Sequence, residues 1–223
     1  MLLQALSSGS YKQIFTTLLL LIPTLLLSLT VHEVSHGYAA YKCGDPTARN
    51  LGRLSLNPLK HLDPVGSIML LLFGFGFAKP VPINARYFSK PKRDIIIVSL
   101  AGPFSNLVLA FLGTFGYMMC GKFISPENMY VMSAAYLFFY YFSLLNVGLA
   151  VFNLIPIPPL DGSRVITVLI PRKFAVWFFR YEQYIRIALF ILLWIGVLDT
   201  PLMYARGAVI NGMEKLWMLL PIF

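Results

Sequence analysis

The chain has 223 residues, of which 58% are hydrophobic and only 12% are charged, and its formal net charge is +9. Soluble domains are roughly 45–50% apolar and about 25% charged, so this composition excludes an ordinary soluble globule, a disordered chain and a coiled coil. It indicates a membrane protein with most of its sequence in lipid. The excess of Lys and Arg is therefore interpreted as an orientation signal for a bilayer and not as a nucleic-acid-binding surface.

Hydropathy predicts four membrane spans, the last of them with an apolar core that is short for a crossing. The predicted spans cover residues 14–41, 95–119, 129–155 and 187–198. The tail over residues 205–223 has an amphipathic pattern and is expected to lie on the membrane surface. The expected fold class is an all-α polytopic membrane protein with about four to six transmembrane helices. The whole chain, 1–223, is predicted to be one membrane-embedded domain, with its core over 14–165 and C-terminal helices over 174–223.

The connectors between the spans carry the charge that orients them. Residues 42–94 hold nine Lys or Arg against three Asp, and residues 162–186 hold five against one Glu. Basic connectors stay on the cytoplasmic side, so both are predicted there, with the N-terminus and the turn at 120–128 outside. The chain is thus predicted to be a multi-pass protein of the cell membrane.

The first basic connector contains an unusual apolar stretch at residues 67–77. It is too short and too rich in Gly for a span, and Phe and Gly alternate over 73–77. This pattern predicts a small β-hairpin or re-entrant element on the cytoplasmic side. An extended substrate could pair with the edge of residues 73–84 by strand addition, and a purely structural hairpin is the open alternative.

The first span ends in the motif His32-Glu33-Val34-Ser35-His36. Helix positions i and i+4 share a face, so both imidazoles can bind one Zn²⁺ with Glu33 beside them. Zn²⁺ lowers the pKa of water to about 7, and a nearby glutamate can then take its proton. The structural alternative is a pair of hydrogen-bonded histidines at a helix end. Three ionisable groups next to an uncharged span indicate a functional site instead.

A third ligand is needed for a catalytic zinc, and Asp161 is the outstanding candidate. It closes the third span in the run NLIPIPPLDG, whose three prolines forbid a continuous helix. Spans one and three run in the same direction, so Asp161 comes to the same depth as the histidine pair. The residue pattern leaves two readings open for Asp161, a zinc ligand or part of a simple helix-terminating turn.

These two motifs, in this order, resemble the site-2 protease family of intramembrane zinc metalloproteases. The stretches GDPTARNLGRLSLNPLKHLDPVG, FGFAKPVPIN and LAGPFSNL are similar to its small prokaryotic branch without a PDZ domain. The resemblance covers about residues 23–165 and is loose after about residue 172. It implies one Zn²⁺ per chain held by His32, His36 and Asp161. It also implies that Glu33 is the general base and that Asn153 helps hold the substrate or the developing oxyanion.

The function implied is that of a zinc endopeptidase that cleaves a transmembrane segment of a membrane protein, in or near the bilayer and toward the cytoplasm. The expected partners are that substrate and the lipid bilayer, with no nucleic acid, and the oligomeric state stays open. One alternative is a metal-ion transporter that uses His32, His36 and Asp161 as a relay. It has no need for Glu33, and the chain lacks the repeated halves common in transporters. A noncatalytic membrane scaffold, the other alternative, would not need Glu33 either.

Four further residues are given structural interpretations in preference to functional ones. Asn106 is expected to hydrogen-bond across helices, with an approach to the site as the alternative. Gly102 and Pro103 are interpreted as a kink or a helix-packing point. His61 is expected to order the basic connector with Asp63, in preference to serving as a fourth ligand or a gate.

Overall fold

The structure is a computed structural model that describes residues 11–63, 66, 79–125 and 127–222. Within these residues all regular structure is helical, which confirms the predicted all-α class. The α-helices are α1 (Tyr11–Lys42), α2 (Thr47–Asn50), α3 (Pro91–Lys122), α4 (Met129–Asn153), α5 (Asp161–Leu169), α6 (Arg172–Trp194) and α7 (Asp199–Trp217). Two single 3₁₀ turns, Pro58–Lys60 and Ala85–Tyr87, lie between α2 and α3.

Three helices are long and apolar enough to cross a membrane. They are Leu18–Lys42 of α1 and the whole of α3 and α4. Helices α6 and α7 meet at a bend of 83° and together form a fourth span if the pair crosses as one unit. Gly196 turns the chain at this bend with a φ of +74°, a conformation that favours glycine. The predicted fourth span at 187–198 therefore covers the end of α6 and the bend itself.

The helices bury polar side chains and expose apolar ones, the reverse of a soluble bundle. Asn106 and Thr114 of α3 and Asn146 of α4 are fully buried. Phe104 and Leu112, on the same helix α3, are 66% and 55% exposed. Lipid solvates such apolar side chains, whereas a polar group at membrane depth needs a partner inside the protein. The pattern supports a bundle surrounded by lipid.

Helix α3 is the central element, because it packs against α1, α4, α5 and α7. Its N-terminus is set by Pro91 in the first turn and by Asp94, whose carboxylate accepts a 2.8 Å hydrogen bond from the Lys90 N–H. Proline suits the first helical position, and an acidic side chain there complements the helix dipole. Helix α1 carries the histidine pair and helix α5 carries Asp161. Both helices pack against α3.

The tail at 205–223, which is expected on the membrane surface, packs against the helical bundle. Helix α7 packs against α3 and α4, where the Trp217 Nε1–H donates to the Phe111 carbonyl at 3.0 Å and the two rings stack at 4.2 Å. The Tyr117 hydroxyl donates to Glu214 Oε1 at 2.5 Å. Glu214 and Trp217 of the tail thus have hydrogen-bond partners on α3.

The first basic connector is described in part. Residues 67–78, which carry most of the predicted hairpin or re-entrant element, lie outside the described residues. Residues 79–84, called the strap below, follow them without regular secondary structure. The Lys79 N–H donates to the His61 carbonyl at 2.9 Å, and the Asn84 N–H donates to Asp45 Oδ2 at 2.6 Å. The strap is thus anchored at both ends.

His61 holds the connector together. It is 1% exposed, and its Nε2 lies 2.8 Å from the Ser55 carbonyl, to which it donates. Its own carbonyl accepts the first strap hydrogen bond. Among the described residues it is not part of a cluster able to hold a metal. The structural interpretation of His61 fits these contacts.

Candidate metal centre

His32 and His36 project from one face of α1, one turn apart. Their Nε2 atoms are 3.0 Å apart, and the rings meet edge-to-face with centroids separated by 4.6 Å. Each residue is 6% exposed. The i, i+4 spacing therefore brings both imidazoles to one buried point, as the helical period predicts.

Asp161 is the first residue of α5 and completes a three-residue cluster. Its Oδ2 lies 3.1 Å from His36 Nε2 and 3.2 Å from His32 Nε2. The chain reaches this position through a non-helical loop from the end of α4. A Cβ atom on Gly162 would lie 2.3 Å from the Leu154 carbonyl oxygen, so only glycine lets α5 begin so close to that loop. Among the described residues, these three side chains form the one group able to hold a metal ion.

The other ring nitrogens of the two histidines are held by α3. His36 Nδ1 lies 2.7 Å from the Val98 carbonyl oxygen, and His32 Nδ1 lies 2.5 Å from Asn106 Oδ1. Both partners are oxygens that can only accept, so both Nδ1 atoms donate. In a neutral imidazole, a protonated Nδ1 leaves an unprotonated Nε2 with its lone pair. Asn106 thus both links helices and touches the site.

Three acceptor atoms consequently converge with no donor among them: two Nε2 lone pairs and one carboxylate oxygen. Such an arrangement is repulsive unless a cation or a proton lies between them. Two nitrogens and one oxygen are a donor set that zinc uses, and two ligands of a tetrahedral Zn²⁺ at about 2.0–2.1 Å lie about 3.3 Å apart. The observed separations of 3.0–3.2 Å are close to that value. The three residues therefore fit a zinc ion.

The carboxyl group of Asp161 remains ionised although it is largely buried. When protons on the two imidazoles take the place of a cation, burial acts to raise the pKa of the Asp161 carboxyl group, but the hydrogen bonds and charges of the protonated His32 and His36 outweigh burial and hold that pKa below its usual value. The carboxylate is thus ionised at neutral pH and contributes a full negative charge to the cluster.

Gly102 of α3 lies directly against the cluster. A Cβ atom at this position would be 2.3 Å from His36 Nε2 and 2.6 Å from His32 Nε2. The backbone of α3 therefore forms one wall of the site, and any side chain here would enter the space between the ligand atoms. The interpretation of Gly102 as a helix-packing point fits this close approach, and the side chains that it packs against are the two imidazoles.

Glu33 and Asn153 lie outside the cluster of three. Glu33 is half-buried, and its Oε2 accepts a 2.8 Å hydrogen bond from the Val81 N–H of the strap. Asn153 ends α4, and its Nδ2 donates to the Leu149 carbonyl one turn back at 2.9 Å. No hydrogen bond in the described part of the chain joins Asn153 to the cluster.

Comparison with known protein families identifies the family of this chain. The chain matches the family described as Peptidase family M50 over residues 20–126 and 121–195. The chain belongs to this family. Its resemblance to site-2 proteases is thereby confirmed, and it is a zinc metalloprotease that crosses the membrane several times. The transporter alternative has no such support.

Individual relatives of this chain are also described as zinc metalloproteases. The chain is 48% identical over 151 residues to "Putative zinc metalloprotease YwhC" of Bacillus subtilis, which covers 68% of this chain and 69% of the relative. It is 38% identical over 162 residues to "Putative zinc metalloprotease Rip2" of Mycolicibacterium smegmatis, covering 69% of this chain and 57% of the relative. No solved structure matches the chain significantly.

Proposed function

We propose that this M50 protein is an intramembrane endopeptidase that cleaves a transmembrane segment of another membrane protein. One zinc ion per chain is held by His32, His36 and Asp161. The observation that carries the proposal is the convergence of their three acceptor atoms within 3.2 Å, next to the carboxylate that follows His32 in the chain.

The depth of the site along α1 supports cleavage inside the bilayer. His36 and His32 precede the helix end at Lys42 by six and ten residues, which is about 9–15 Å at 1.5 Å per residue. A hydrocarbon core is about 30 Å thick, so the site lies within its nearer half. The basic connector that follows Lys42 makes this the cytoplasmic half.

The chemistry is hydrolysis of a peptide bond. Zinc at the cluster would supply a positive charge that acidifies water and polarises the scissile carbonyl. Glu33 takes a proton from the attacking water and passes it to the leaving amine. Its Oε2 is occupied by the Val81 N–H, and Oε1 has no hydrogen bond among the described residues, so Oε1 is the atom proposed to carry the proton.

The substrate must open its helix before cleavage, because a helix uses its peptide groups in its own hydrogen bonds. The strap has few free N–H donors with which an extended substrate segment could pair. Pro80 and Pro82 have no N–H, and the Val81 N–H is already used, so three consecutive residues provide no donor. Here a substrate strand can pair only by donating to strap carbonyls. Asn153 is proposed to hold the substrate with the amide hydrogen that Leu149 does not use.

Cleavage of a model transmembrane substrate by the purified protein in detergent or vesicles tests the proposal. Chelation is expected to abolish cleavage, and zinc is expected to restore it. Glu33→Gln should lower kcat by about 10²- to 10⁴-fold, the usual value of general acid–base catalysis. Glu127→Gln makes the same change at an exposed position in the α3–α4 turn and should leave kcat unchanged. Cleavage by Glu33→Gln at the wild-type rate would contradict the mechanism, and zinc uptake into vesicles without cleavage would favour transport.

A further inference from the structure

Two buried asparagines connect His32 of α1 to helix α4. Asn106 of α3 presents Oδ1 to His32 Nδ1, and its Nδ2 donates to Asn146 Oδ1 on α4 at 2.8 Å. The Asn146 Nδ2 in turn donates to the Phe142 carbonyl at 2.9 Å. Both asparagines are 0% exposed. A continuous chain of hydrogen bonds thus runs from an α4 carbonyl to a proposed zinc ligand.

The direction of this chain is set by its last member. The Phe142 carbonyl can only accept, so the amide atom of Asn146 that faces it must be the NH₂ group. The Asn146 oxygen then faces Asn106, which must donate a hydrogen bond from its own NH₂ group. The Asn106 oxygen is left for His32, whose Nδ1 must therefore carry a proton.

A second carbonyl fixes the same orientation independently. The Asn106 Nδ2 also donates to the Ser28 carbonyl of α1 at 3.3 Å. A reversed Asn106 would place its oxygen against both the Ser28 carbonyl and the Asn146 oxygen. At 0% exposure, bulk water cannot relieve that repulsion. Two backbone carbonyls on different helices thus specify one amide orientation.

We propose that Asn106 and Asn146 are positioning residues that select the tautomer of His32. The inference rests on the proposed zinc site and adds to it the reason why Nε2 of His32 is free to bind. His36 obtains the same tautomer from the Val98 backbone carbonyl, whereas His32 depends on side chains. The Asn146 side chain acts on the ligand through Asn106 and without contact with it.

The same helix interface contains a matched pair that does not reach the site. Thr114 of α3 and Ser143 of α4 are both 0% exposed, and their hydroxyl oxygens are 2.8 Å apart. This pair links the same two helices, yet neither hydroxyl contacts a histidine among the described residues. Ser143→Ala therefore measures what loss of a buried α3–α4 hydrogen bond does to the protein in general.

Zinc affinity and thermal stability of the purified protein separate the two roles. Asn106→Leu is expected to weaken zinc binding about 10- to 100-fold, the usual effect of losing a partner of a ligand. Asn146→Leu should weaken it about 10-fold, the lower end of that range, because it acts through Asn106. Ser143→Ala should lower Tm and leave the zinc Kd unchanged. Equal Kd values for the asparagine variants and Ser143→Ala would overturn the proposal.

A conservative variant provides a rescue test. A carboxyl group buried among neutral partners is protonated. Asn146→Asp can then donate its O–H to the Phe142 carbonyl and accept from Asn106, as the asparagine does. Its zinc Kd should be close to that of the wild type even if its Tm is lower. An Asn146→Asp protein as weak in zinc binding as Asn146→Leu would contradict the orientation mechanism.

The tautomer itself is measured by ¹⁵N NMR of the histidine rings in zinc-free protein, with the His32 signals assigned by their loss in His32→Gln. The wild type and Ser143→Ala are expected to show a protonated Nδ1 at His32, and Asn106→Leu a mixture of tautomers. A wild-type tautomer in Asn106→Leu would overturn the inference. None of these measurements depends on cleavage, so a failure here differs from a failure of Glu33→Gln to lose activity.

Discussion

The peptide N–H of Val81 donates a 2.8 Å hydrogen bond to Oε2 of Glu33. The donor lies on the strap and the acceptor on α1, 48 positions apart in the chain. A hydrogen bond to an ionised group is shorter and stronger than one between neutral groups. The orientation of the proposed base therefore depends on the strap as well as on its own helix.

Removing this donor should impair catalysis and spare the metal. Val81→Pro deletes the N–H, and we expect kcat to fall at least about 10-fold, since hydrogen bonds to charged groups contribute about 1.5–3 kcal/mol and 1.4 kcal/mol is a factor of ten. Zinc content, measured by atomic emission, should not change. Val81→Ala keeps the N–H and serves as the control. Identical kcat values for the two variants would show that the bond has no part in the reaction.

A methyl group at Gly102 should disrupt zinc binding. The added Cβ would lie 2.3 Å from His36 Nε2, so the imidazoles or α3 must move, and we expect at least about 10-fold weaker zinc binding in Gly102→Ala. Gly212→Ala makes the same change inside α7, where a Cβ meets nothing within 4 Å. There alanine should leave zinc binding intact and raise stability slightly. Competition with a chromogenic chelator gives both constants, and equal values would argue against the close approach of α3.

Loss of the Asp161 charge should weaken zinc binding throughout the range from pH 5 to pH 8. The carboxylate is one of the three proposed ligands, and an amide in its place carries no negative charge to hold the metal. In Asp161→Asn we therefore expect a higher zinc Kd at every pH in this range. Isothermal titration at several pH values measures it. A zinc Kd equal to that of the wild type would show that Asp161 is not a ligand.

Side-chain spacing in the sequence predicted that His32 and His36 lie together, and it left Asp161 open as a ligand or a turn residue until the family resemblance favoured the ligand. Two histidines at i and i+4 share a helix face, and the order of the spans brings Asp161 to their level. Val98 and Val81 could not be found in this way, because each contributes a backbone atom that any residue would supply. Asn146 had a weak signal as a polar residue within an apolar span, but its contact with Asn106 depends on how α3 and α4 pack.

The sequence pattern could not reveal contacts between helices that are distant in the chain. The amphipathic tail suggested a surface helix, yet Tyr117 and Phe111 of α3 supply the partners that Glu214 and Trp217 need. Gly102 illustrates the same limit. A glycine before a proline indicates a bend or a close contact, and only the packed structure shows that the neighbours are two imidazole rings.

The far end of the strap offers the last test, through Asp45. This carboxylate is 0% exposed and accepts hydrogen bonds from the Asn84 N–H at 2.6 Å and the Thr47 N–H at 2.9 Å. Asp45→Ala leaves these donors without a partner and releases the strap end, so the Val81 contact to Glu33 should loosen. We expect a kcat at least several-fold lower per folded molecule, with zinc content unchanged.

Asp94→Ala is the matched control for this change. Asp94 is equally buried, but its backbone and guanidinium donors come from Lys90 and Arg93 at the start of its own helix. Both substitutions should lower the free energy of unfolding by about 1–3 kcal/mol, the cost of unsatisfied buried donors. Only Asp45→Ala should also reduce kcat in the folded fraction, because Asp45 accepts a hydrogen bond from the strap at Asn84 and Asp94 accepts none from it. If both variants keep the wild-type kcat, the strap does not orient Glu33, and helix α1 alone sets the position of the base.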